Sequence, residues 1–70
     1  MLSSWDQTRL SQAFGVDPRA VVSDALIVTQ WHAPADDLLA FLEQKHRWTA
    51  ANAYRYVRTL RSAQLRQLPD

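Results

Sequence analysis

The only glycine and two of the three prolines of this chain stand where helices end or begin, and they divide it into short segments. Gly15 can adopt the left-handed conformation that closes a helix. Pro18 suits the first position of a helix, because the amide that proline lacks has no intrahelical partner there. The residue before Pro34 is disfavoured in helical geometry. Since no segment alternates strictly between apolar and polar residues, the chain predicts an all-α fold.

Polar residues beside these signals complete the prediction of a compact bundle of four short helices. Ser4, followed by Gln7, fits a capping box for the first helix. Asp17 and Thr49 are suitable caps for the second and the fourth. We expect helices at about 4–14, 18–31, 34–46 and 49–68. A chain of this length is too short for two cores, so residues 1–70 should form a single domain.

The second predicted helix carries more apolar residues than one buried face requires. At about 100° per residue, one side holds Val21, Val22, Ala25, Leu26 and Val28. The other side holds Ala20, Ile27 and Trp31, beside Ser23 and Asp24. A helix with two apolar sides is either the central helix, packed by helices one and three on one flank and by helix four on the other, or it meets another molecule through Ile27 and Trp31. The intramolecular arrangement is the more common.

Charge is unevenly distributed along the chain, although the net charge is only +1. Residues 1–43 hold six carboxylates and two arginines, whereas residues 44–70 hold six basic side chains and one aspartate. Such asymmetry is typical of nucleic-acid contact, of head-to-tail association or of an acidic partner. The alternative is that the two halves neutralise each other within one fold.

The fourth predicted helix has the most suggestive surface. One face is broadly apolar and holds Ala53, Tyr56, Val57, Leu60 and Ala63. The other face holds Arg55, Arg58, Arg61 and Arg66, with Tyr54 and Leu65 among them. Arginines interleaved with apolar and aromatic side chains can contact phosphates, stack on bases or bind acidic protein surfaces. Alternatively, these arginines pair with Asp36, Asp37 or Glu43 across the bundle.

The segment QTRLSQAFGVDPRAVV, residues 7–22, resembles the helix-turn-helix of bacterial DNA-binding regulators. Its Leu10, Phe14, Gly15, Val16 and Val21 occupy the apolar and turn-glycine positions of that motif. Ser11 and Asp24 depart from it, since the family usually has alanine and a buried aliphatic residue at those positions. The resemblance implies that the second helix reads DNA bases.

The same region is similar to a ubiquitin-associated three-helix domain, in which an apolar–glycine–apolar loop and a leucine-rich third helix bind a protein partner. The matching residues are Phe14, Gly15, Val16, Leu26, Leu38 and Leu42. That resemblance implies a purely protein-binding module.

Several function classes find no support in the sequence. Glu43 precedes His46 by three residues, but no nucleophile or oxyanion donor accompanies them, so we expect no catalytic residues and no enzyme. With no cysteine and two histidines, we expect no metal or other cofactor. The chain has no apolar run long enough for a membrane span and no secretory signal. We therefore expect a soluble, cytoplasmic domain without a small-molecule substrate.

Two functions remain. The first is a regulator, adaptor or inhibitor that binds another protein or a second copy of itself, through Ile27, Trp31, Tyr54, Arg58, Arg61 and Leu65. The second is a DNA-binding regulator that contacts nucleic acid through Arg19, Ser23, Arg47, Arg55, Arg58, Arg61 and Arg66. Because the net charge is small and the second helix carries acids, we rank protein binding first.

Overall fold

The computed structural model describes residues 2–30 and 35–65, and the side chains of all of these except 35 and 36. The chain is an all-α bundle of four short helices: α1 (Ser4–Phe14), α2 (Pro18–Gln30), α3 (Ala35–His46) and α4 (Ala50–Leu65). The predicted fold class is confirmed, and each predicted boundary that falls within the described residues lies within one residue of the structure. The predicted boundaries at 31, 34 and 68 lie outside the described residues.

Local capping chemistry explains where α1 begins and ends. The N-cap is Ser3, whose hydroxyl oxygen accepts a hydrogen bond from the Asp6 amide at 3.2 Å. The prediction of Ser4 was wrong by one residue, because two adjacent serines offer the same oxygen and the sequence does not distinguish them. Gly15 closes the helix with φ 66° and ψ 36°, as predicted, and its amide donates to the Ser11 carbonyl.

The other helix ends use the same chemistry. The Asp17 carboxylate accepts from the Arg19 amide at 2.8 Å, and the Thr49 hydroxyl oxygen accepts from the Asn52 amide at 3.3 Å. Both caps were predicted. At the end of α3, Arg47 takes the left-handed conformation that glycine usually supplies, with φ 58°.

The central helix is α4. It packs against each of the other three helices, whereas α2 packs mainly against α1 and α4. Its buried residues are those of the predicted apolar face: Ala53, Tyr56, Val57, Leu60 and Ala63. The prediction that α2 holds the central position was therefore wrong. Hydrophobic periodicity identifies which side of a helix is buried, but it does not identify the neighbour that covers it.

The buried side of α2 is one continuous face and not two flanks. Val21, Ala25 and Val28 are buried, as predicted, and Asp24 is buried among them. Ile27 packs against the core, whereas Leu26 is 56% exposed, contrary to the prediction. The face is thus rotated toward Asp24 and Ile27 because the polar Asp24 has partners inside the bundle. Ile27 therefore packs within the bundle, although α2 is not its central helix. Trp31 lies outside the described residues.

Candidate functional site

The most unusual feature of the interior is the carboxylate of Asp24, which is fully buried in the middle of α2. One carboxylate oxygen accepts a hydrogen bond from the Lys45 ammonium group. The other is 2.8 Å from Nε2 of His46 and accepts from the Tyr56 hydroxyl at 2.6 Å. Because a buried carboxylate is costly unless it is paired and hydrogen-bonded, these partners explain how Asp24 is tolerated in the core.

Aromatic rings surround this cluster. The His46 ring stacks on Trp48 with centroids 4.5 Å apart, and Trp48 and Phe14 both meet the Tyr56 ring edge-on, at 4.9 Å and 5.0 Å. Burial, followed by the hydrogen bond to Asp24 and the negative charge of its carboxylate, raises the pKa of Tyr56 well above its usual range. The phenol therefore stays protonated and remains a donor to Asp24.

This polar cluster connects three helices. It joins α2 to the end of α3 and to the middle of α4 through one acceptor, Asp24. In the part of the chain that the structure describes, no serine or threonine hydroxyl is hydrogen-bonded to His46, and no group of three or more metal-binding side chains is present. The described helices also include none long and apolar enough to span a membrane.

A groove lies between α3 and α4. The α3–α4 groove encloses about 250 Å³. The α3 wall consists of Leu38 and Leu39. The α4 wall holds the remaining lining residues: Tyr54, Val57, Arg58, Arg61, Ser62 and Leu65. Four of these, Tyr54, Arg58, Arg61 and Leu65, are residues that the sequence predicted as partner contacts, and the structure brings all four to one groove.

Two large side chains that line the α3–α4 groove are exposed to solvent. Tyr54 is 57% exposed and Leu65 is 67% exposed. A second groove, of about 300 Å³, lies between α2 and α4 and is lined by Val28, Thr29, Gln64, Arg61 and Leu65. The last two side chains therefore form a ridge shared by both grooves. In the second groove, the Gln64 amide is hydrogen-bonded to the Ala25 carbonyl and the Thr29 hydroxyl of α2.

The other predicted contact residues are dispersed. Arg19 and Ser23 are exposed on α2, and Arg47 is exposed at the end of α3. Arg55, on α4, places its guanidinium 5.8 Å from the centre of the Phe14 ring. Ile27 is half-buried. Trp31 and Arg66 lie outside the described residues.

The arginines of α4 form, among the described side chains, none of the ion pairs that the sequence offered as an alternative. Among the described side chains, neither Asp37 nor Glu43 forms an ion pair with Arg55, Arg58 or Arg61. The side chain of Asp36 is outside the described set. Guanidinium groups without an ion-pair partner are available to a ligand. The geometry therefore favours the interpretation that this face of α4 contacts another molecule.

Sequence reasoning missed the polar cluster of Asp24, Lys45, His46 and Tyr56. One signal could have indicated it: Asp24 is spaced three and four residues from the buried Val21 and Val28, so it shares their face of α2. The Asp24 carboxylate is fully buried, so this acid of the second helix does not face a ligand. No protein-family model, curated protein sequence or solved structure matches this chain.

Proposed function

We propose that this chain is a non-catalytic, cytoplasmic protein-binding domain that holds a segment of a partner protein in the α3–α4 groove. The observation that carries the proposal is the convergence of Tyr54, Arg58, Arg61 and Leu65 on one groove with an apolar floor. A partner covering Tyr54 and Leu65 would remove two large apolar side chains from water. Fully burying a large apolar side chain is worth about 1.5–3 kcal/mol, and these two, which are 57% and 67% exposed, would contribute roughly half to two-thirds of that before the costs of association are subtracted.

The size of the α3–α4 groove favours a macromolecular partner over a small molecule. Its volume of about 250 Å³ is at or below the lower limit of ligand pockets, about 300 Å³, and it is open to solvent along one side. Such a groove accommodates a few side chains of a peptide. The adjacent α2–α4 groove continues the contact surface across Arg61 and Leu65.

A second candidate function is duplex DNA binding through α1, the Gly15 turn and α2. It is supported by the left-handed Gly15 between these helices and by the exposure of Arg19 and Ser23 on α2. It leaves the exposed Tyr54 and Leu65 without a role, and we therefore rank it second.

Matched pairs of exposed side chains test the first proposal. Helical peptides would be selected from a displayed library on the immobilised 70-residue chain, and the affinities of these peptides for its variants would then be measured. Tyr54→Ala and Leu65→Ala should each weaken binding about tenfold or more, which corresponds to about 1.4 kcal/mol. The controls Trp5→Ala, 70% exposed on α1, and Leu26→Ala, 56% exposed on α2, should bind as the parent chain does.

Two results would overturn the proposal. One is normal peptide binding by both Tyr54→Ala and Leu65→Ala. The other is binding of sheared duplex DNA that is lost in Arg19→Ala and weakens steeply with salt, with a log–log slope of about −0.9 per phosphate contacted.

A further inference from the structure

The walls of the α3–α4 groove carry charge of one sign. Arg58 and Arg61 line it together with apolar side chains and Ser62, and no carboxylate is among the described lining residues. Neither guanidinium forms an ion pair among the described side chains. The two arginines are three residues apart on α4, so they present adjacent positive charges along one edge of the groove.

The described acids of this chain do not meet those arginines, because Asp37, exposed on α3, and Glu43 form no ion pair with either of them. Asp6 and Asp24 are buried, and Asp17 is 3.8 Å from Arg19. A symmetric dimer with its two-fold axis at Arg58 and Arg61 would place these arginines of the two copies close together. Like charges in that position oppose association. The structure therefore favours a different molecule that supplies the negative charge.

The shape of the groove indicates the backbone conformation of the molecule that would bind there. Two helices form its walls, and a third helix packs into such a surface by inserting side chains between theirs. The described residues include no strand edge to which an extended peptide could add. A helix presents apolar anchors at spacings of three, four and seven residues along one stripe, and it can place carboxylates one turn apart beside that stripe.

We propose that the occupant of the α3–α4 groove is an amphipathic helix of another protein with an acidic flank. Its apolar stripe covers Leu39, Tyr54 and Leu65, and its carboxylates pair with Arg58 and Arg61. The inference rests on the proposed function, since it specifies the partner of the same groove.

The experiment uses the displayed library of helical peptides with all polar positions randomised. On the parent chain, selected peptides should be enriched in Asp and Glu beside the apolar stripe. On the Arg58→Glu, Arg61→Glu double variant, the enrichment should shift to Lys and Arg. The affinity of an acidic peptide should fall about tenfold or more in that variant, and also as salt rises, because rim charges are screened. Arg55→Glu, on the same helix but outside the groove, is the control and should retain the acidic selection.

The outcomes separate the two proposals. Peptides that need Tyr54 and Leu65 but show no charge preference would overturn the acidic helix and leave the protein-binding groove standing. Peptides that need neither residue would overturn both. A concentration-dependent dimer, measured by light scattering, that dissociates in Leu65→Ala would identify a second copy as the occupant. Tighter binding of every peptide after truncation at residue 65 would identify the chain's own tail as the occupant. Either of these last two results would overturn the acidic helix.

Discussion

Removing the carboxylate of Asp24 should be the most damaging single change in the described core. Asp24→Ala leaves the Lys45 ammonium, the His46 ring nitrogen and the Tyr56 hydroxyl without their acceptor. Breaking a buried charge pair by removing one partner costs about 3–5 kcal/mol when the remaining charge is also buried. Because the Lys45 side chain is 31% exposed and can turn toward water, the loss here should lie at the lower end, about 3 kcal/mol. A domain of 70 residues has a free energy of unfolding of about 4–10 kcal/mol at typical values per residue. The change should therefore remove a large share of the stability of the domain.

Urea unfolding followed by far-ultraviolet circular dichroism measures this effect. With a denaturant dependence of about 1 kcal/mol per molar, expected for a small protein, the midpoint should fall by about 3 M. The control is Asp37→Ala, an exposed acid on α3, for which we expect less than about 1 kcal/mol. If Asp24→Ala proves too unstable to measure, Tyr56→Phe, which removes one donor and keeps the ring, should cost about 1–3 kcal/mol. A loss below about 0.5 kcal/mol in both variants would refute the cluster as a source of stability.

Other consequences of the structure can be measured in the same way. Because the unfolded chain releases the Tyr56 proton above about pH 10 while the folded chain retains it, the free energy of unfolding should fall as pH rises beyond that value, and Tyr56→Phe should flatten this fall. Gly15→Ala should lower the free energy of unfolding by about 1 kcal/mol, because alanine is strained at the φ of 66° found there. Arg47→Gly should raise the melting temperature, because glycine adopts the φ of 58° at that position without strain. Ser3→Ala should cost about 1 kcal/mol by loss of the cap of α1, whereas an equal loss in Ser4→Ala would show that the cap is misplaced.

The helix boundaries were predictable because their causes are local. Gly15, Asp17 and Thr49 act within a few residues of themselves, and the structure uses each as the sequence predicted. The one error, Ser4 for Ser3, arose between two neighbours with the same chemistry. The apolar face of α4 was predictable for a related reason, since a periodicity over sixteen residues leaves little doubt about which side is buried.

The packing of helices against one another was not predictable from the same signals. An aspartate between Val21 and Val28 indicates a solvated position unless its partners are known, and Lys45, His46 and Tyr56 are 21 to 32 residues away. The burial of Leu26 was mispredicted for the same reason. With Asp24 on the buried face of α2, Leu26 lies on the exposed side of the helix. Charge counting misleads in a related way: Asp24 counts toward the net charge of +1, but its carboxylate is fully buried and paired with Lys45, so it does not face a ligand.

The polar cluster and the α3–α4 groove lie at opposite ends of α3. Lys45 and His46, the last two residues of the helix, bind Asp24, whereas Leu38 and Leu39, near its start, form the groove wall. Directional hydrogen bonds to Asp24 fix the position of the last turn of α3. The apolar groove wall near the start of α3 has no such geometric requirement. The polar cluster thus holds three helices in place, whereas apolar side chains at the groove stay exposed and free to contact the proposed partner. The separation also predicts that groove variants such as Leu65→Ala leave the Asp24 cluster intact, so losses of binding and losses of stability should fall on different residues.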